Sequence, residues 1–216
     1  MTTRFISKLF LTRIVVAYLV AAGQAKAQTI SIYDNGPING TIGAWLISSN
    51  SPVLGLAVSD SFTVSSSATL TSAVAGLWVA NGVTLESLQW MIGTTPFSCN
   101  ISSGTASLDN TYFGPASLSG TSVYASDFAI NGSVTPGIYY LTLTNAVASV
   151  PGEIGWDQNN GPSSFYDSVG GNLESIYGSE SFQVFGVEAA PEPTTASLLS
   201  VAAVLGAMSF QLRKKA

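Results

Sequence analysis

Gly137-Ile138-Tyr139-Tyr140-Leu141-Thr142-Leu143-Thr144-Asn145 decides the fold. In an extended chain Ile138, Tyr140, Thr142 and Thr144 share one side, while Tyr139, Leu141 and Leu143 share the other. Thr135-Pro136-Gly137 just before it is a turn signal that sets where the strand starts. Outward from this stretch the same two-residue period returns in Thr29–Tyr33, Thr41–Ile47, Ser61–Val64, Ala73–Val79, Val83–Ile92, Ser122–Ile130, Glu153–Asp157 and Ser181–Val187. Asn35-Gly36-Pro37, Asn39-Gly40, Asn81-Gly82, Asn131-Gly132, Pro151-Gly152, Asn160-Gly161-Pro162 and Gly170-Gly171 punctuate these runs as turns. No long stretch between the ends carries a capped apolar stripe of helical period, and no internal repeat stands out. The expectation is an all-β fold. About eight to ten short strands would form a single β-sandwich of jelly-roll type over residues 28–188.

Charge is distributed as unevenly as the turns are evenly spaced. The 216 residues include 7 Lys+Arg, 12 Asp+Glu and no His, for a formal net charge of −5. Arg4, Lys8, Arg13 and Lys26 lie at one end and Arg213, Lys214 and Lys215 at the other. From Gln28 to Leu212 there is no Lys, Arg or His, and all the acids, Asp34 through Glu192, fall in that stretch. Nucleic acid is excluded as a partner, because nothing there can replace phosphate counterions. A triad lacks its base and a phosphate loop its lysine. Zinc and redox metals lack the His and Cys they draw on. Hydroxyls, amides, rings and carboxylates remain, so the reading is non-enzymatic.

Residues 1–27 follow the plan of a signal peptide. Arg4, Lys8 and Arg13 precede an apolar Ile14–Ala22 run, and Ala25-Lys26-Ala27 offers an A-x-A site for signal peptidase ahead of Gln28. Residues 189–216 form a second address: a short stalk, Pro191-Glu192-Pro193, an apolar run and Arg213-Lys214-Lys215. As one transmembrane helix, 194–212 would be about 28 Å long, close to the hydrocarbon thickness, with its basic end held in the cytoplasm. These parts in this order resemble the PEP-CTERM sorting signal. That resemblance implies recognition by an exosortase near Pro191-Glu192-Pro193. It also implies an exported protein, either held at the inner membrane by its C-terminal helix with the domain outside or released to the cell surface or extracellular space. Asp60-Ser61-Phe62-Thr63-Val64, Gly76-Leu77-Trp78, Pro136–Leu141 and Ser181-Phe182-Gln183-Val184 further resemble ectodomains that accompany such signals. Those are sandwiches similar to carbohydrate-binding modules, which implies an envelope or extracellular-matrix protein associated with extracellular polysaccharide.

Within the middle the chemistry concentrates late in the chain. Trp156, Asp157, Asn159, Asn160 and Tyr166 combine rings with amides and a carboxylate, the groups a lectin-like site uses against pyranose faces and hydroxyls; packing of this loop on the sandwich edge is the other reading. Asp157, Asn159 and Asp167 are candidate ligands for a structural Ca²⁺, although the stretch does not fit an EF-hand. Glu153, Asp157, Asp167, Glu174 and Glu180 are the most crowded acids, and a glycoside hydrolase would need two of them facing each other. Trp45, Trp78 and Trp90 lie in apolar strand patterns and are expected in the core. Cys99, the single cysteine, has no intramolecular disulfide partner and reads as a small buried apolar residue, with an intermolecular bridge second. The Asn-x-Ser/Thr sites at Asn39, Asn100 and Asn131 carry little weight.

Overall fold

The computed structural model describes residues 28–48, 56–168, 174–175 and 178–189, all of them strand, turn or loop with no helix. Residues 1–27, the Pro191-Glu192-Pro193 motif, the 194–212 span and Arg213–Lys215 lie outside the described residues, as does the Gly170-Gly171 turn. Among the described residues no helix is long and apolar enough to cross a membrane.

In chain order the strands are β1 Ile30–Asp34, β2 Ala44–Leu46, β3 Ala57–Val64, β4 Ala68–Ala80, β5 Leu85–Gly93, β6 Ser102–Ser107 and β7 Asp109–Pro115. They continue with β8 Thr121–Val134, β9 Gly137–Ala148, β10 Gly155–Asn159, β11 Phe165–Asp167, β12 Glu174–Ser175, β13 Ser179–Glu180 and β14 Phe182–Glu188. One sheet runs β7-β8-β4-β14-β1. The start of β4 pairs with β14, while Leu77 and Trp78 near its end pair with β10, which also carries β2 and β13. The other sheet runs β12-β11-β3-β9-β5-β6. Every strand pairing in both sheets is antiparallel.

The β9 alternation sets the depth of the molecule. Tyr139, Leu141 and Leu143 are buried in the core between the sheets, while Ile138 is exposed. Val58 and Phe62 of β3 join that core from a neighbouring strand of the same sheet, and Leu70, Leu77, Phe128, Trp156, Phe182 and Val184 join it from the opposite one. Each such side chain contributes about 1.5–3 kcal/mol by leaving water. Thr142 and Thr144 are buried too, although they face away from that core. Thr142 donates to Ser59 Oγ at 2.9 Å, Thr144 donates to the Leu56 carbonyl at 2.8 Å, and the Phe97 N–H reaches Ser59 Oγ at 3.3 Å. A loop therefore folds over part of the outer face.

Three expectations need correction here. Asn131-Gly132 is not a turn but a bulge inside β8, opposite Leu70–Ser72, where Gly132 takes φ 141°. Cys99 is exposed, in the loop between β5 and β6, instead of buried. β6 and β7 were not anticipated, because they bury almost nothing and so show no apolar alternation. Trp90 is a core residue as expected; Trp78 is buried but stands outside the core cluster, at the cleft, and Trp45 is half-buried and packs on Phe165 at 5.5 Å.

Candidate functional site

β10 carries the residues that the sequence singles out, and its alternation separates them. Trp156 faces between the sheets with no exposed surface; its Nε1–H donates to the Ser181 carbonyl at 3.0 Å and its ring meets Phe182 edge-on at 5.5 Å. It cannot stack on a sugar from there, so the glycan platform built on Trp156 is corrected: the ring is core because it lies on the inward face of its strand. Asp157 faces the other way, also fully buried, and Asn159 lies beside it on that face. Asn160 is exposed in the loop that follows. Tyr166 belongs to β11 in the other sheet, where its ring meets Tyr140 at 5.9 Å. The five residues do not converge.

The proposed calcium ligands are likewise committed elsewhere. Asp157 accepts three N–H groups: Trp78 Nε1 at 2.6 Å, Gly40 at 3.0 Å and Asn39 at 3.0 Å. Asn159 donates to the Asn35 carbonyl at 2.7 Å and accepts from Ser179 at 2.5 Å and the Gly161 N–H at 2.9 Å. Asp167 sits on β11, in the opposite sheet. Asp157 and Asn159 spend their oxygens on these donors and Asp167 lies in the other sheet, so the three do not converge on one ion. Among the described residues no three Asp, Glu, His or Cys side chains are grouped to hold a metal ion.

What the structure does bring together is a buried acid cluster of Asp60, Glu180 and Asp157. Asp60 lies on the inward face of β3, between Val58 and Phe62, and is fully buried. Its Oδ2 accepts the Glu180 N–H at 2.7 Å and the Asn35 amide at 3.3 Å, and its Oδ1 accepts the Ser61 N–H at 2.6 Å. The Asn35 amide also donates to Ser163 Oγ and to the Glu180 carbonyl, both at 2.6 Å, and Asn35 Oδ1 accepts the Tyr33 hydroxyl at 2.9 Å. Glu180 is fully buried, and neither oxygen of its carboxyl has a hydrogen-bond partner. Burial raises the Asp60 carboxyl to about 6 against the pull of these donors. Burial, then the charges of Asp60 and Asp157, push Glu180 well above the usual carboxylate range. Burial and Asp60 raise the Tyr33 phenol to about 12. Burial also raises Asp157, against the N–H groups of Asn39 and Trp78.

Asp60 and Asn35 carry this network, yet in the sequence Asn35 reads only as part of a turn and Asp60 only as part of a strand motif. The signal was available for Asp60: in Val58-Ser59-Asp60-Ser61-Phe62 the acid occupies an inward position of a strand. Glu180 shares the parity of Phe182 and Val184 in the same way.

In front of Trp78 lies a cleft of about 820 Å³ bounded by Ala44, Leu46, Leu118, Thr121 and Glu153. Trp78 shows only 6% of its surface, and its N–H is held by Asp157. Leu118 stands 63% exposed on the rim, and Ser117, Ser119 and Thr121 add hydroxyls. Among the described residues Glu153 is the single carboxylate in the lining. No protein-family model matches the chain, and no curated protein matches it either.

Proposed function

We propose that this chain is an exported envelope or extracellular-matrix protein, sorted through Pro191-Glu192-Pro193, whose sandwich associates with exopolysaccharide and catalyses no reaction. The jelly-roll reading is supported by strand order. The eight strands β1, β3, β4, β5, β6, β8, β9 and β14 divide between the sheets as β1-β14-β4-β8 and β3-β9-β5-β6, an order that matches the wrapping of a jelly roll. The observation that carries the non-enzymatic reading is the placement of carboxylates. Glycoside hydrolysis needs two acids facing a substrate about 5–10 Å apart. Here Asp60, Glu180 and Asp157 are all buried, and among the described residues Glu153 is the one carboxylate in the cleft lining. Signal peptidase and exosortase act on the chain as processing enzymes. The test is the intact mass of the protein from cells, alongside its fractionation. The expected species begins at Gln28 and ends near Pro191–Pro193; one that retains Arg213–Lys215 would reduce the tail to a simple anchor.

The cleft favours a second reading, a lectin-like module. An apolar floor edged by hydroxyls and one acid suits an uncharged sugar chain, and the surrounding negative charge, with no Lys, Arg or His from Gln28 to Leu212, disfavours an acidic one. Saturable binding of a neutral polysaccharide is expected, weakened about tenfold or more by Leu118→Asp at the exposed rim. Unsaturable, mutation-insensitive association would leave only the matrix role.

A further inference from the structure

We propose that Glu180 and Asp60 form a buried site for a divalent cation bound through oxygen alone, with calcium the ion that fits it. The sandwich supplies N–H donors to Asp157 and to Asp60 and none to Glu180, whose two oxygens are buried and unpartnered. A proton would remove the charge of Glu180 without ending this mismatch. A neutral carboxylic acid still carries a carbonyl to satisfy, and no protein donor reaches either oxygen. A cation satisfies both oxygens at once. No Lys, Arg or His lies between Gln28 and Leu212 to compensate the charge instead.

The surroundings supply oxygen donors of the kind calcium uses. The side-chain nitrogen of Asn35 stands amid Asp60 Oδ2, Ser163 Oγ and the Glu180 carbonyl. The amide keeps its shape when turned over, and the half-turn presents Oδ1 to that oxygen cluster. Tyr33, which donates to Asn35 Oδ1, can accept from the turned amide. Two carboxylates then balance a divalent charge, and Asn35, Ser163 and the Glu180 carbonyl are the neutral ligands. The site has no third acid ligand, which places it among the weaker calcium sites of extracellular modules, with Kd about 10⁻⁴–10⁻³ M. Magnesium, which demands a regular octahedron and holds its waters, fits such an irregular set less well.

The experiment is thermal unfolding of the purified full chain, stripped with EDTA and returned to about 10 mM CaCl₂ or MgCl₂ at matched ionic strength. Calcium is expected to raise Tm by about 5 °C or more, and magnesium by less. Glu180→Gln keeps the shape and removes the charge. It is expected to melt cooperatively, at or above the Tm of the EDTA-treated parent, and to lose the calcium response. A parent Tm unmoved by calcium but raised by acid would mean that a proton alone neutralises the cluster, and would overturn the proposal. A Glu180→Gln variant that retains the calcium shift would overturn it as well, by placing the ion elsewhere.

Discussion

Asp157 was nominated by the sequence as a ligand, and the structure makes it a clamp. Its carboxylate collects the indole N–H of Trp78 from β4 and two consecutive backbone N–H groups, Asn39 and Gly40, from the loop between β1 and β2. Three segments remote in sequence are thus tied at one buried point, which also fixes Trp78 in the lining of the cleft. Backbone donors have no residue signature, so an acid they will satisfy looks in sequence like an acid awaiting a metal. Asp157→Ala leaves three buried donors without an acceptor. Its expected cost is about 3–5 kcal/mol in urea unfolding, with a changed cleft. Asp157→Asn keeps one acceptor oxygen but sets an NH₂ against N–H groups, so it should also destabilise, by less. A loss below about 0.5 kcal/mol for Asp157→Ala, the scale of an ordinary surface substitution, would remove Asp157 from this role.

At the scale of elements, what could be read was whatever buries one face. Gly137–Asn145 alternates because its strand lies on the core, and the observed β9 extends it only to Ala148. β3, β4, β5, β8 and β14 were legible for the same reason. β6, with Ser102-Ser103-Gly104-Thr105-Ala106-Ser107, and β7, with its exposed Tyr112 and Phe113, are held by cross-strand pairing at sheet edges rather than by burial. Pairing writes no two-residue pattern into composition. Asn131-Gly132 misled for a related reason: a bulge and a tight turn ask the same positive φ of a glycine, and only the partner strand, β4, tells them apart. The acid cluster was half legible. The inward parity of Asp60 and Glu180 is in the sequence, but their meeting depends on β3 and β13 lying in different sheets. The Trp156 platform failed on the same point, since parity on β10 decides which of two neighbours is core.

For the molecule as a whole, the missing cations reverse the usual relation between acid and stability. In most proteins paired carboxylates have depressed pKa values, so acid removes stability. Here each described carboxylate with a resolved departure moves upward: Asp60, Asp157 and Glu180 chiefly by burial, and Asp127 by burial and then Asp109. The folded state then holds protons that the unfolded chain has released. Stability is fully present below the unfolded pKa of these groups and is lost as pH rises through their folded values. For Asp60 the window runs from 3.8 to about 6, with Tyr33 and Glu180 as its titratable neighbours. Roughly two pKa units correspond to at most about 3 kcal/mol, and Glu180 extends the loss in the same direction. Nothing between Gln28 and Leu212 becomes positive in acid, so low pH brings that stretch toward zero charge instead of to a self-repelling cation. In EDTA the protein should therefore melt roughly 6–12 °C higher near pH 4–5 than near pH 8. Asp60→Asn and Glu180→Gln should each flatten that slope. Melts from acid to alkaline pH at constant ionic strength measure it directly, and a stability maximum at neutral pH would show that the buried carboxyls do not hold their protons.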